Sequence, residues 1–373
     1  MLSSPVTTSS FSQVPGAVDV PPQHYGNPLG EQRRLAAGDA IVDLSNRAVL
    51  AITGEDRLTW LDSLTSQSIA RLAPGESAET LLLDPTGRLE YDIRLLDDGV
   101  TTWLLLEADE AVGLQAWLGR MIFMLRVEVS DRTADFATIG TLGAPVEAAA
   151  PNGIPLVWRD PWVAVTRGGH QYSIATDHPA ASWTYSEILV DRASVPEFVE
   201  GLTSERVAGT LALEALRIAA WRPRLAMEAD ERTIPHELDW LRSAVHLTKG
   251  CYRGQETVAK VHNLGHPPRR LVLLHLDGSE GVLPAHGDPV LAGDVEVGQV
   301  TSAALHHELG PIALAVIKRT TDPTIDLVVS AADNVVIAAA QEIIVPPSAG
   351  AEADIPKLPR LRATSTATGD TAR

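Results

Sequence analysis

The chain has 373 residues, of which 45% are apolar and 21% charged, so it should fold into two or three domains. Its formal net charge of −18 disfavours non-specific binding to nucleic acid, because phosphate backbones repel an acidic surface. No apolar run reaches the roughly 18 residues that a membrane-spanning helix requires. The single cysteine cannot form an internal disulfide, and the first 13 residues lack the apolar stretch of a secretory signal. We therefore expect a cytoplasmic protein that binds neither nucleic acid nor membranes.

The first half of the chain predicts mixed strands and helices after a disordered tail. Residues 1–30 are rich in Ser, Thr, Pro and Gly and show no periodicity. The sequence from Thr53 to Asp56 resembles a capping box at the start of a helix. Strands are predicted at residues 47–52, 79–83, 89–96, 101–107, 125–129 and 136–139. A helix is predicted at residues 109–121, with Val112, Trp117 and Met121 on its buried face.

In the second half of the chain, the predicted elements change from helices to short strands near residue 270. Helices are predicted at residues 195–201 and 210–220, the latter burying Leu211, Leu213, Leu216 and Ile218. Short β-like runs follow at residues 271–276, 289–291, 295–301, 312–317, 328–329 and 343–345. Closely spaced short strands predict a small barrel or sandwich. The last residues, 347–373, again predict a disordered tail. The fold class predicted from these elements is α+β.

A basic island interrupts the acidic chain between residues 217 and 270. It contains ten Lys and Arg residues and six Asp and Glu residues, which favours binding of a carboxylate-bearing ligand. Scattered solvated charges are an equally good interpretation from composition alone. Cys251 lies inside the island, two residues from Lys249 and from Arg253, and nearby cations stabilise a reactive thiolate. The alternative is that Cys251 is simply buried, as free cysteines often are.

Common catalytic and metal-binding motifs are missing from the sequence. It has no Gly-rich phosphate loop, no paired-cysteine spacing, no HExxH and no GxSxG. His306 and His307 are adjacent, and neighbouring side chains of a strand point to opposite faces, so they make poor joint ligands. We predict no metal site.

The run Lys249-Gly250-Cys251-Tyr252-Arg253-Gly254-Gln255-Glu256 resembles the signature of the YgfZ-type folate-binding family at every fixed position. Similarity to that family also covers residues 49–56, Leu61, residues 83–88, 91–92 and 216–220, Pro223, and residues 234–238 and 297–302. In all it spans roughly residues 35–345. The family belongs to the glycine-cleavage aminomethyltransferase-like superfamily.

The resemblance implies a three-domain, aminomethyltransferase-like fold around a central hole that admits tetrahydrofolate. The implied divisions are a discontinuous folate-binding α+β domain (31–140 and 205–268), a second α+β domain (141–204) and a C-terminal β-barrel (269–346). It further implies that Cys251 and Lys249 carry the chemistry, within the motif that also contains Gly250, Tyr252, Arg253, Gly254, Gln255 and Glu256. Asp92, Arg217 and Glu237 are the implied folate-binding residues.

The family further implies an accessory protein for iron–sulfur cluster assembly or repair rather than an ordinary enzyme, with iron–sulfur client or assembly proteins as partners. The alternative is a tetrahydrofolate-dependent aminomethyl or C1 transferase, and a third hypothesis is a binding module with neither chemistry nor folate. Two positions depart from the aminomethyltransferase pattern. Ala219 replaces a glutamate that contacts the pterin, and Tyr91-Asp92 replaces an aspartate pair.

Overall fold

The computed structural model describes residues 9–279 and 281–353, which form two five-stranded sheets and a closed barrel. Sheet A has the strand order β10 (Val207–Ala208), β1 (Ile41–Asp43), β7 (Phe136–Thr141), β9 (Ser186–Asp191) and β8 (Val157–Arg159). Its strands pair antiparallel, except that β10 runs parallel to β1. Sheet B is antiparallel throughout, in the order β3 (Ser77–Leu83), β4 (Leu89–Asp97), β5 (Thr101–Leu106), β2 (Ala48–Thr53) and β6 (Glu128–Asp131).

The barrel closes in the order β11 (Arg269–Leu276), β14 (Gly310–Lys318), β13 (Val295–His306), β12 (Pro289–Ala292), β15 (Leu327–Ser330) and β16 (Val336–Ile343). Alternate residues of β11 fill the barrel interior, among them Val272 and Leu274, while Leu271 and Leu273 join the main core outside it. The predicted α+β class and the predicted C-terminal barrel are both confirmed.

The helices are α1 (Pro28–Ala36), α2 (Arg57–Leu64), α3 (Ala111–Arg120), α4 (Val195–Glu200), α5 (Thr210–Ala219), α6 (Leu225–Glu228) and α7 (Gln255–Leu264). Helices α2 and α3 cover one face of sheet B and bury Trp60, Leu114 and Leu118 there. Helix α5 lies at the centre of the molecule, packed against α1, β13 and β14. Among the described residues, none of the helices is both long and apolar enough to cross a bilayer.

The predicted disordered tail over residues 1–30 is wrong from residue 9 onward. Phe11 is fully buried, and α1 begins at Pro28 with the Asn27 side chain accepting a hydrogen bond from the Gly30 N–H. The buried carboxylate of Glu31 accepts from the backbone N–H groups of Tyr25, Asn27 and Gly209. The contact with Gly209 joins residues that are far apart in the sequence, so local composition does not reveal it. Residues 1–8 and 354–373 lie outside the described residues.

Three local predictions and one domain division also differ from the structure. Asp56 precedes α2 without a capping hydrogen bond and instead accepts from the Arg126 N–H. Helix α3 buries Ala111, Leu114 and Leu118, while Val112 is 59% exposed, so the predicted face is wrong. Leu211 of α5 is likewise exposed. Sheet A combines β1, β7 and β10 with β8 and β9, so it crosses the predicted divisions at residues 140 and 205.

Candidate functional site

A cavity of about 50 Å³ lies between the two sheets and α5. Its walls are mostly charged or aromatic: Arg47, Asp92, Arg94, Trp158, Asp160, Trp183, Tyr185, Glu187, Leu213, Glu214, Arg217, Arg222, Pro223 and Arg224. This volume admits a few water molecules. A larger ligand therefore has to displace side chains at the mouth, where Glu214 and Arg224 are partly exposed.

Four polar atoms of the cavity wall are buried without a hydrogen-bond partner among the described residues. Two are acceptors, Asp92 Oδ1 and Glu187 Oε2, and two are donors, the Nε atoms of Arg94 and Arg224. Buried polar groups in folded proteins are nearly always satisfied. Their convergence on one cavity therefore indicates a site for water or for a ligand that carries both N–H donors and oxygen acceptors.

The carboxylate of Glu187, on β9, is fixed by three donors. Its Oε1 accepts from Arg47, from Arg94 Nη1 at 2.6 Å and from the Tyr185 hydroxyl at 3.0 Å. Glu107, outside the cavity, binds Nη2 of the same two arginines at 3.3 and 3.2 Å. Burial alone would raise the pKa of Glu187, but the charges of Arg47 and Arg94 lower it. Glu187 is therefore an ionised carboxylate with one oxygen unused.

Asp92, on β4, is also buried, but its pKa is shifted in the opposite direction to that of Glu187. Its pKa is raised well above the ordinary value, mainly by burial and then by the charge of Glu79, against the opposing charges of Arg94 and Arg222. The neutral acid is therefore favoured over a pH range in which an ordinary aspartate is ionised. The preceding residue, Tyr91, packs against the core on the other face of sheet B. Strand alternation thus directs only Asp92 to the cavity.

A buried ion-pair network centred on Arg222 lies between the two sheets. The Arg222 guanidinium contacts Glu79 and lies 2.9 Å from Asp160 Oδ2. It also lies 5.4 Å from the Trp162 ring centroid and 5.8 Å from that of Trp240. Burial would raise the pKa of Glu79, but Arg222 and hydrogen bonds from Ser243 and Trp240 lower it. The network joins β3 to the segment after α5.

The structure brings Arg217 to the cavity but leaves Glu237 outside it. Arg217 contacts Glu214, donates to Glu228 at 3.0 Å and to Ser302 Oγ at 2.7 Å, so its side chain links α5 to α6 and the barrel. Glu237 is fully buried, and its carboxylate accepts from Arg269 at 2.8 and 3.0 Å. Glu237 is therefore not among the residues that line the cavity.

The lysine of the motif anchors its loop to the end of α2. Lys249 Nζ donates to the carbonyl oxygens of Asp62, Thr65 and Gln67 at 2.6, 2.8 and 2.6 Å. Burial lowers the pKa of Lys249, against the opposing charge of Asp62. The ammonium also lies 5.5 Å from the Tyr252 ring centroid. Lys249 therefore acts first as a structural anchor.

Cys251 is exposed and is not among the residues that line the cavity. The nearby Arg253 donates to both oxygens of Glu90 at 2.6 and 3.2 Å, and its guanidinium lies over the Trp117 ring. The two cations predicted to stabilise a thiolate are therefore engaged with carbonyl groups and with a carboxylate. The thiol and the polar cavity are separate features of the molecule.

The remaining motif residues build the start of α7. Gly254 precedes the helix, the Gln255 side chain donates to the Lys249 carbonyl at 3.4 Å, and Glu256 lies exposed in the first turn. Gly254 has φ = 83°, and a Cβ there would lie 2.7 Å from the Asp84 carbonyl oxygen. Glycine is needed because the backbone is left-handed and the Asp84–Gly87 turn packs directly on it.

Replacing Gly254 with alanine is expected to lower the free energy of unfolding by at least about 2 kcal/mol, from the left-handed backbone and the contact with Asp84. Gly250→Ala is the matched control, because a Cβ at Gly250 would have nothing within 4 Å. It should change stability by no more than about 0.5 kcal/mol. Urea denaturation measures the free energy of unfolding of both variants. Equal losses in the two variants would contradict this explanation of Gly254.

Several residues of the cavity were missed by the sequence analysis, namely Arg47, Arg94, Tyr185, Glu187 and Arg222. A weak signal existed, because Arg94 lies between Ile93 and Leu95 in β4, and Glu187 comes directly before the apolar run of β9. A charged residue inside an apolar strand needs a buried partner. Which residue that partner is depends on the pairing of the sheets, which a single sequence does not show.

Comparisons with family models, with curated proteins and with solved structures agree with one another. The family described as "Glycine cleavage T-protein C-terminal barrel domain" matches residues 269–342, which is the observed barrel. An aminomethyltransferase of Synechococcus sp. (strain RCC307) is 28% identical over 304 residues, covering 78% of this chain and 82% of the relative. One from Rippkaea orientalis is 26% identical over 318 residues, covering 80% and 84%.

Among solved structures, the glycine cleavage system aminomethyltransferase T from Bartonella henselae superimposes with a TM-score of 0.66. The match covers 87% of this chain and 91% of that protein at 17% sequence identity. This likeness establishes a mixed α/β aminomethyltransferase T-protein fold with a C-terminal six-stranded barrel. The sequence relatives, which carry the name aminomethyltransferase, are similar to this chain over most of its length.

Proposed function

We propose that this protein binds a reduced folate in the central cavity and uses Asp92 as the acid–base residue of a tetrahydrofolate-dependent one-carbon transfer. The observation that carries the proposal is the set of four buried polar atoms without partners that line one cavity. The sequence relatives, which carry the name aminomethyltransferase, support the same class of reaction.

The unpartnered donors and acceptors of the cavity match the polar groups of a folate. The free oxygens of Asp92 and Glu187 match the N–H groups of a pterin, and the free Nε of Arg224 at the partly exposed mouth matches a carboxylate of the glutamate tail. Tetrahydrofolate, when bound, would supply the nitrogen atoms that accept the one-carbon unit. The size of the cavity requires Glu214 and Arg224 to move aside as the ring enters.

The protein's own contribution to the chemistry is a proton held on Asp92. Because burial and the charge of Glu79 raise the pKa of Asp92 and favour the neutral acid, the carboxyl group can donate a proton to a departing amine and later accept one. Arg94 and Arg222 stabilise the charged form that results. The surrounding Trp158 and Trp183 are buried and limit access of water to the site.

The test is incubation of the purified protein with an aminomethyl thioether and tetrahydrofolate, with detection of methylene-tetrahydrofolate and of the ammonia and thiol that are released. Product formation that depends on the protein supports the transferase function. No product above the protein-free control, with folate binding intact, would reject the transfer and leave only the binding function.

A second candidate function is the accessory role in iron–sulfur cluster assembly or repair that the YgfZ-type motif implies. It is favoured by the exposure of Cys251 on a loop fixed by Lys249 and Arg253. Clusters usually need four protein ligands, so one cysteine would have to share a cluster, a persulfide or a disulfide with a partner protein.

Under this second function, Cys251→Ala is expected to reduce the activity of a dependent iron–sulfur enzyme in cells to the level of cells lacking the protein. Folate affinity of the purified variant should stay unchanged, because Cys251 does not line the cavity. Glu256→Gln, an exposed change in the same motif, serves as the control. Normal enzyme activity with the alanine variant would remove the thiol from the function.

A further inference from the structure

A second pocket, of about 570 Å³, shares no lining residue with the central cavity. Glu79 lies in its wall, whereas Arg222, the ion-pair partner of Glu79, lies in the wall of the central cavity, so this buried pair lies between the two. The volume is within the range that small-molecule sites usually have. Lys249 and Gly250, the first two residues of the motif, also line the pocket. A ligand bound there would lie beside the motif.

The carboxylates in the wall of this pocket already have donors. Asp62 accepts from two backbone N–H groups and lies 3.4 Å from Lys249 Nζ. Glu79 is held by the three side chains described above. Glu76 accepts from the Ala73 N–H at 2.9 Å. The acidic side chains therefore do not neutralise the remaining cations of the pocket.

Two of those cations, Arg71 and Arg167, make no hydrogen bond or ion pair within the part of the chain that the structure describes. Both are exposed. A guanidinium offers five N–H donors, and its planar fork matches the oxygens of a phosphate or a carboxylate. In a chain with a net charge of −18, a pocket with two unpartnered arginines favours an anion.

The turn that carries Arg71 is fixed to the motif. The Leu72 N–H donates to the Ile69 carbonyl at 3.0 Å, which closes the turn. Asp62 accepts from the first two N–H groups of this turn, and Lys249 contacts Asp62 from the other side. The backbone beneath Arg71 is therefore held by the lysine of the motif.

The turn that carries Arg167 is fixed to the segment that leads into the motif. The Gly169 N–H donates to the Thr166 carbonyl at 2.9 Å, and the Leu247 N–H donates to the Gly168 carbonyl at 2.8 Å. Both arginines therefore extend from rigid turns that meet at the start of the motif. Such preorganised supports reduce the entropy that a site loses when it binds a ligand.

We propose that this second pocket binds a small anion, and that Arg71 and Arg167 hold the phosphate or carboxylate group of that ligand beside the motif that contains Cys251. The proposal is independent of folate binding, because the two pockets share no residue.

Calorimetric titration with inorganic phosphate, and separately with succinate, tests the proposal at constant ionic strength. At least one of the two should bind saturably, with a dissociation constant of about 1 mM or below, and the tighter one identifies the preferred anionic group. Arg71→Gln and Arg167→Gln should each weaken that binding about tenfold, the loss of one charged hydrogen bond. Both variants should fold, because the replaced side chains are exposed and unpartnered.

Arg206→Gln is the matched control. Arg206 is also exposed, its side chain makes no contact within the described residues, and it does not line the pocket. Its replacement should leave the affinity unchanged. The absence of saturable binding of either anion would overturn the proposal, as would equal weakening in all three variants, which would indicate a general effect of charge.

The thiol provides a check on the unmodified protein. Cys251 is the only cysteine and is exposed, so its alkylation can be followed directly. Phosphate bound next to Gly250 neutralises the two arginines, and should slow modification by anionic iodoacetate at least about threefold more than modification by neutral iodoacetamide. Equal effects of phosphate on the two reagents would overturn the placement of the anion beside the motif.

Discussion

Replacing Asp92 with asparagine is expected to lower the rate of one-carbon transfer about 10²- to 10⁴-fold, the usual contribution of a positioned acid–base group. The amide has nearly the same shape but cannot transfer a proton. Folate affinity should change far less, because burial and the charge of Glu79 favour the neutral acid at Asp92, and the amide is neutral as well. Glu90→Gln, on the same strand but outside the cavity, should retain activity within about twofold.

The same substitution should make the protein more stable above about pH 4. The unfolded chain releases the Asp92 proton near its ordinary pKa, whereas the folded protein keeps it because burial and Glu79 raise the pKa. The folded state therefore binds more protons in this window, and its stability falls as pH rises. Asparagine removes the effect, so the variant should gain about 1.4 kcal/mol per pH unit over the parent within the window.

Denaturation at pH 4.5 and 7.5 measures this gain. A variant that is inactive yet more stable at the higher pH would show that function is favoured over stability at Asp92. A variant whose stability relative to the parent does not change with pH would contradict the raised pKa.

Replacing Arg222 with methionine is expected to destabilise the fold by about 3–5 kcal/mol, because it leaves Glu79 and Asp160 buried without their cation. The variant also loses contacts with the Trp162 and Trp240 rings. Urea denaturation followed by tryptophan fluorescence measures the change.

The control for Arg222 is Arg126→Met. Arg126 pairs with Glu55 and Asp56 at the surface, with 68% of its side chain exposed, and exposed pairs contribute little. Its denaturation midpoint should match that of the parent. Similar losses in the two variants would show that burial of the Arg222 network is not what stabilises the centre of the molecule.

The elements that local patterns specify were predicted well from the sequence. Alternation and turn residues placed β2, β3, β4 and β5 to within a few residues, and the short spaced strands indicated the barrel. Features that depend on distant partners were missed. The segment from residue 9 to α1 is ordered by backbone contacts to Glu31 and the start of α5, and no local periodicity encodes such contacts.

The site shows the same division between local and distant information. The sequence predicts a functional motif from Lys249 to Glu256, and the geometry gives Lys249 and Gly254 structural roles within it. The basic island is explained largely by buried pairs, such as Arg222 with Glu79 and Arg269 with Glu237. Only the folded chain brings Asp92 and Glu187 to one cavity.

The central claim is that this cavity is a folate site, and calorimetric titration of the purified full-length protein with tetrahydrofolate tests it most directly. The proposed function predicts a saturable one-to-one complex with a dissociation constant in the micromolar range or below, weakened at least tenfold by Glu187→Gln. A titration without saturable heat, on protein shown to be folded, would contradict the claim.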